Sequence, residues 1–183
     1  VLGGQIAYHK LSLDMRQIAR LGIWGRAEYV FNLNKTFTPV PYLLLDVFAG
    51  NETFIRTLET YNMMNFFEFV SDQNFQAFYV HHFDGNLMNR IPVMQKLKWR
   101  LVGSAKLAYG TLSDANRALV PEFNANGVAV TPVNTLDPWK PYMEVGYGFE
   151  NIFQFVRIQA FHRLTYTHNA NNFGIKGSVY FNF

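Results

Sequence analysis

The sequence predicts an all-β protein, an antiparallel transmembrane β-barrel. Three observations point there. The chain is 183 residues long, 49% hydrophobic and 17% aromatic, with 18 Phe and 10 Tyr, yet only 16% of it is charged, against about 25% in an ordinary soluble domain. Mean hydropathy is −0.04, and the apolar stretches, such as Pro39–Leu45, fall far short of the ~18 residues a spanning helix needs. Apolar and polar residues alternate at period two in segment after segment, which averages to zero hydropathy while giving each strand one apolar face.

The alternation can be followed strand by strand. Lys10–Gln17 sets Lys10, Ser12, Asp14 and Arg16 against Leu11, Leu13 and Met15. Arg26–Asn34 sets Arg26, Glu28, Asn32 and Asn34 against Ala27, Tyr29, Phe31 and Leu33. Phe75–Phe83 alternates less cleanly. Leu97–Tyr109 places Lys98, Arg100, Ser104 and Lys106 opposite Leu97, Trp99, Leu101, Ala105, Leu107 and Tyr109. Tyr142–Glu150 places Glu144 and Glu150 opposite Met143, Val145, Tyr147 and Phe149. Phe155–Thr165 carries Arg157, Gln159 and Arg163 on its polar face, and the last strand carries Lys176 opposite Phe173, Ile175, Val179, Phe181 and Phe183. Arg100, Lys106, Glu144, Arg157, Arg163 and Lys176 are therefore expected to face a lumen, wet or partly plugged. A dry interior would impose a heavy desolvation cost on these charges unless each were paired. Glu144 and Glu150 are candidate cross-strand partners for the arginines.

Connections add direction. The final strand resembles the closing strand of bacterial outer-membrane barrels, whose terminal aromatic is read by the barrel-assembly machinery; Phe181 and Phe183 would supply that signal. Counted back from a periplasmic Phe183, Gly110–Lys140 and Thr38–Gln73 become long outer loops. Glu150–Phe153 becomes a short turn, and Gly85–Lys96 a periplasmic connection with one helical turn at Val93–Lys96. Trp24, Trp99, Trp139, Tyr109 and Tyr166 near strand ends would form an aromatic girdle. Thr38–Gln73 is too long and too apolar for a disordered loop. It is expected to be partly β, plugging or capping the barrel; the competing reading makes Asn62–Val70 an eighth strand. The sequence opens at Val1 in what already reads as a strand, as expected if a signal peptide has been removed or the chain is a downstream piece of something longer, and seven or eight strands suit the C-terminal part of a larger barrel of ~16 strands.

No catalytic, metal or cofactor site emerges, and no enzyme is expected. Cysteine is absent. His81 and His82 point to opposite faces of one strand and cannot share a metal. Glu144 and Glu150 lie roughly 20 Å apart along one face, too far to act as a carboxylate pair. Ser71-Asp72 reads as turn chemistry, and Gly146-x-Gly148 as close backbone approach or a bend. The net charge of +3 without a basic run gives no nucleic-acid surface.

Asn62-Met63-Met64-Asn65-Phe66-Phe67-Glu68-Phe69-Val70-Ser71-Asp72, His81-His82-Phe83, Asn89-Arg90-Ile91-Pro92 and Lys96-Leu97-Lys98-Trp99-Arg100 resemble one family over nearly the whole chain. So do Gly110-Thr111-Leu112-Ser113 and Glu144-Val145-Gly146-Tyr147-Gly148-Phe149-Glu150-Asn151-Ile152-Phe153. It is a Bacteroidota outer-membrane family of carboxypeptidase-regulatory-like-domain proteins with a C-terminal domain of unknown function. The resemblance implies a signal peptide, a small β-sandwich domain and more barrel strands upstream. More distantly, the layout is similar to BamA/TamA-type assembly barrels, whose long loop carries Val-Arg-Gly-aromatic. Here that loop offers only Ile55-Arg56-Thr57, without the Gly, so Arg56 is a candidate loop contact or an ordinary solvated residue.

The expected role is thus an outer-membrane barrel acting in envelope biogenesis, of the protein assembly or translocation type, or as a component of a larger complex. Its partners would be lipopolysaccharide and phospholipid, the barrel-assembly machinery and other outer-membrane proteins. The alternative is a passive channel or transporter whose cationic lumen favours anions.

Overall fold

A computed structural model describes residues 7–57, 59–84, 88, 91–121, 134–168 and 171–179. Its main element is one seven-stranded antiparallel sheet in which every strand pairs with its sequence neighbour in the sheet order. The strands are β1 (Lys10–Arg20), β2 (Arg26–Thr36), β5 (Gln73–His82), β6 (Arg100–Thr111), β7 (Tyr142–Ile152), β8 (Val156–Arg163) and β9 (Phe173–Val179). A second sheet of two short strands, β3 (Asp46–Val47) and β4 (Val70–Ser71), lies within the segment joining β2 to β5. Among the described residues there are also two short α-helices, α1 (Pro92–Leu97), where a helical turn is expected, and α2 (Asp114–Arg117). The architecture is all-β. The sheet is open among the described residues, with β1 and β9 as its edges, so no closed barrel forms within them. Phe181 and Phe183 lie outside the described residues.

The register carries the alternation from strand to strand. Val30 pairs with Phe78, Phe78 with Lys106, Lys106 with Glu144, and Glu144 with Arg163. Because side chains of directly opposed residues share a face, Lys106, Glu144, Arg163 and Lys176 stand on one side. Leu33, Phe75 and Tyr109, or Tyr147 with Ala160 and Ile175, stand on the other. Burial then runs opposite to that of a water-soluble sheet. The apolar face is the uncovered one: Leu11, Leu13, Met15, Leu33, Tyr147, Ile158, Phe173, Ile175 and Val179 are all exposed, while Lys106, Glu144, Glu150, Gln159, Arg163 and Lys176 are buried.

What covers the polar face is the segment from Phe37 to Asp72. The competing strand at Asn62–Val70 does not form; only Val70–Ser71 pairs, with Asp46–Val47, and Asn62–Phe69 is a series of turns. This plug brings Phe48, Tyr61, Met64 and Phe69 against Val30, Phe78, Ala108 and Tyr142 of the sheet, with Leu136 from the β6–β7 connection. Tyr61 stands at the centre, its ring 5.1 Å from Phe78 and 5.2 Å from Tyr142, its hydroxyl donating to the Leu107 carbonyl at 2.9 Å. Burial and the nearby Glu144 raise its hydroxyl pKa well above the ordinary value.

The girdle expectation needs one correction. Trp139 is 93% exposed, but Tyr166 turns inward. Its ring packs 5.2 Å from Phe69, and its hydroxyl accepts from Asp137 N at 2.8 Å and donates to Lys140 O at 2.6 Å. A hydroxyl with two backbone partners is better served there than at a membrane surface.

Gly146 and Gly148 are sites of close approach, as their spacing within a strand suggests. A Cβ on Gly146 would lie 2.5 Å from the Phe161 ring, and one on Gly148 would lie 2.0 Å from the Ile158 carbonyl oxygen. The second obstacle is backbone and cannot rotate away. Gly148→Val is therefore expected to destabilise the sheet by about 1–3 kcal/mol or more, measured by urea unfolding, whereas Gly103→Ala, whose nearest neighbour is the Phe83 ring at 4.0 Å, leaves the midpoint unchanged.

Candidate functional site

The buried charges of the sheet converge on the plug's backbone. Glu144, 1% exposed, accepts the N–H of Asn62 at 2.8 Å with one carboxylate oxygen and that of Met63 at 2.9 Å with the other. Tyr142 adds a hydroxyl donor at 3.1 Å. Lys106 lies 3.5 Å from Glu144 and donates to the carbonyl oxygens of Thr60 and, at 3.4 Å, Thr57. Arg163 donates to Met63 O at 3.2 Å and makes a two-pronged pair with Glu68 at 2.6 and 3.0 Å. Lys176 donates to Asn51 O. Four side chains on β6, β7, β8 and β9 thus hold the plug between Asn51 and Glu68, largely through main-chain groups. Each charge is compensated, which is what allows it to be dry.

The sequence expectation of lumen-facing charges divides here. Lys106, Glu144, Arg163 and Lys176 are brought together and face the plug rather than open water. Arg157 belongs to a second cluster lower on the same face. Arg100 joins neither: it pairs with Asp84 at 3.8 Å at the start of β6 and its side chain stays partly exposed.

The lower cluster is built on His82. One ring nitrogen lies 2.8 Å from Glu150 and the other 3.4 Å from Glu28, and Arg157 closes on Glu150 at 2.7 Å. The chain of contacts crosses β2, β5, β7 and β8. Above it sits Arg56, 8% exposed, which corrects the solvated-loop reading. Its backbone pairs with the edge of β9: Arg56 N donates to Gly177 O at 2.7 Å, and Gly177 N donates to Phe54 O at 2.9 Å. Burial lowers the pKa of its guanidinium to about 10; Arg157 pushes the same way, and Glu28 and Glu150 oppose. Arg56 is a plug residue held among sheet charges.

Two anchors escaped the sequence reading. Ser71-Asp72 is turn chemistry, yet Asp72 also ties three connections together. Its carboxylate accepts from Ser113 N at 3.0 Å, the Ser113 hydroxyl and the Asn116 amide at 2.6 Å, and Asn116 in turn accepts from Val40 N at 2.8 Å. Glu68, partner of Arg163, was hidden in an apolar run. The only hint was a carboxylate among phenylalanines, which demands a cation nearby.

Among the described residues no group of His, Asp and Glu could hold a metal ion. His81 faces away from His82, bonding the Tyr79 hydroxyl at 2.8 Å and lying 2.9 Å from Trp24 O.

The clamp makes two predictions. Glu144→Ala leaves two plug N–H groups without their acceptor and the buried Lys106 ammonium without its counter-charge, a loss of about 3–5 kcal/mol, and is expected to open the plug to trypsin at Arg56 while the strands stay protected. Limited proteolysis followed by mass measurement reads this. For Asp72, burial pushes the carboxyl up, but the hydrogen bonds from Ser113 and Asn116 outweigh it and the pKa falls below the ordinary value. Its contribution is then present above about pH 4 and lost as pH falls through the lower folded value. Thermal melting from pH 6 to 2.5 is expected to show that loss, and Asp72→Asn to remove that part of the pH dependence.

No curated protein and no solved structure matches the chain. Residues 1–114 match the family model for the C-terminal domain of a family of unknown function (DUF5686); that stretch spans β1 to the end of β6 and the whole plug, and the chain belongs to that family.

Proposed function

We propose that the chain is the C-terminal seven-stranded part of a larger, ~16-stranded outer-membrane barrel, of the Bacteroidota carboxypeptidase-regulatory-like type, acting in envelope biogenesis or within a larger outer-membrane complex. The observation that carries this reading is the inverted polarity of the sheet. An uncovered belt of Leu, Met, Phe, Tyr, Ile and Val on all seven strands, with ion pairs on the covered face, has its natural solvent in lipid tails. Only a closed sheet satisfies its backbone there, so further strands would join the edge of β1 and the part of the β9 edge that Phe54 and Arg56 do not already pair at Gly177. The short connections β1–β2 and β7–β8 lie at one end, and the long ones β2–β5 and β6–β7 at the other, the asymmetry of outer-membrane barrels with the long loops outward.

The plug favours a biogenesis or complex role over the passive channel. Lys106 and Lys176, which would give an open lumen its cationic character, are spent on plug carbonyls. Partners follow from the placement: lipopolysaccharide and phospholipid around the belt, the barrel-assembly machinery for insertion, and other outer-membrane proteins at the plug or the sheet edges. The protein assembly or translocation role rests on the distant likeness of layout to BamA/TamA-type barrels, from which the long loop departs at Ile55-Arg56-Thr57 by lacking the Gly; Arg56 is its candidate contact. No catalytic role is assigned.

Two experiments test this. Ala105→Arg on the belt is expected to cost about 2–4 kcal/mol near the membrane midplane and to deplete the protein from the outer-membrane fraction, while Ser12→Arg on the opposite face leaves it there. Removing Thr38–Gln73 from the full-length protein is expected to lower the levels of other outer-membrane proteins; a change in conductance alone supports the channel instead.

A further inference from the structure

Two adjoining hollows of about 670 and 320 Å³ share Tyr79 and Ala105 on the apolar face of the sheet. They lie over β5, β6 and β7, in the middle of the sheet and clear of both its edges. Small residues make them: Ala77 lies beside Leu107, and Ala105 and Gly103 lie beside Tyr79 and His81. Tyr29 and Phe31 stand on one flank, Met143 and Val145 on the other. Among the described residues a Cβ on Gly103 would meet only the Phe83 ring, at 4.0 Å, so no neighbouring side chain fills that hollow. The groove from Gly103 to Leu107 is about 13 Å long at ~3.4 Å per residue, roughly half the ~25 Å apolar band of an outer-membrane barrel. That is the depth of one leaflet.

One end of the groove is polar and closed on itself. His81 Nε2 lies 2.9 Å from Trp24 O, and His81 Nδ1 lies 2.8 Å from the Tyr79 hydroxyl. A carbonyl oxygen only accepts, so Nε2–H donates to it, and the neutral ring accepts the Tyr79 O–H on Nδ1. Both nitrogens are thus engaged, and His81 has neither a charge nor a spare donor for a headgroup. The aromatic and aliphatic lining instead suits hydrocarbon. Trp24 belongs to the short β1–β2 connection, so this end lies toward the periplasm in the placement proposed above. We propose that the groove seats one acyl chain of an inner-leaflet phospholipid, an inference that rests on that placement.

The test is mass spectrometry of the full-length protein under non-denaturing conditions, after reconstitution with palmitoyl-oleoyl phosphatidylethanolamine, palmitoyl-oleoyl phosphatidylglycerol or lipid A as separate probes. Retention of one phospholipid per chain is expected with either headgroup, and retention of lipid A about tenfold weaker or absent. Gly103→Leu and Ala105→Leu fill the groove with apolar bulk and keep the belt apolar. Each is expected to lower the retained fraction about tenfold at unchanged melting temperature; if Gly103→Leu does not fold, Ala105→Leu decides. Ala160→Leu, on the same face beside Tyr147 and Ile175, leaves retention unchanged. A preference for lipid A, indifference to both groove substitutions, or an equal loss in all three variants overturns the proposal. So does a co-purifying protein, in place of lipid, that Gly103→Leu releases. Wild-type protein that sits in the outer-membrane fraction yet retains no phospholipid overturns the seat alone, whereas wild-type protein missing from that fraction overturns the barrel reading beneath it.

Discussion

Glu144 is the residue on which most of this structure depends. It sits mid-strand on the covered face, accepts two consecutive N–H groups of the plug, and stands beside the ammonium of Lys106. A carboxylate so dry survives only because every side of it is answered: Asn62 and Met63 from the plug, Tyr142 from its own strand, Lys106 from the next. The dependence runs both ways. Without the plug the sheet would expose a buried-type charge cluster, and without the cluster the plug's turns would lose the acceptors and donors that fix them. Main-chain groups of an irregular segment need partners when buried, and here the sheet's side chains supply them in place of a ladder.

That arrangement explains why a sheet so polar on one face can still bury it. The aromatic group around Tyr61 gives the plug an apolar contact with Phe78 and Tyr142, while the charged groups set its position. Apolar packing alone tolerates sliding; a pair of adjacent N–H groups on one carboxylate does not. Lower on the face, His82 between Glu28 and Glu150, with Arg157 and Arg56 nearby, extends the same logic across four strands. The plug and the sheet are therefore one unit, and the uncovered apolar belt is the surface left over.

Much of this was legible in the sequence, because a period of two is a strong signal once repeated. The strands at Lys10, Arg26, Tyr142 and Phe173 were readable from alternation, and so was the shared face of Lys106, Glu144, Arg163 and Lys176. The extra hairpin at Asn62–Val70 was not distinguishable from turns, since Phe66, Phe67 and Phe69 give an apolar run either way; the N–H groups of Asn62 and Met63 went to Glu144 instead of to a neighbouring strand. Arg56 and Tyr166 turned inward against expectation for the same reason. Their partners, Gly177 and the Asp137–Lys140 segment, are far away in sequence and no local pattern points to them. Glu28 and Glu68 were missed as partners because a cation and its carboxylate separated by many residues meet only once register and loop path are fixed.

The central claim is that one face of the sheet meets lipid and the other meets the plug. The absence of native cysteine makes a direct measurement available: single cysteines along β6, from Leu101 to Tyr109, labelled with a fluorophore and quenched by lipid-chain nitroxides in vesicles carrying the full-length protein. Strong quenching at Leu101, Gly103, Ala105, Leu107 and Tyr109, alternating with weak quenching at Val102, Ser104, Lys106 and Ala108, is the predicted result. Uniform quenching, or none at any position, would contradict it.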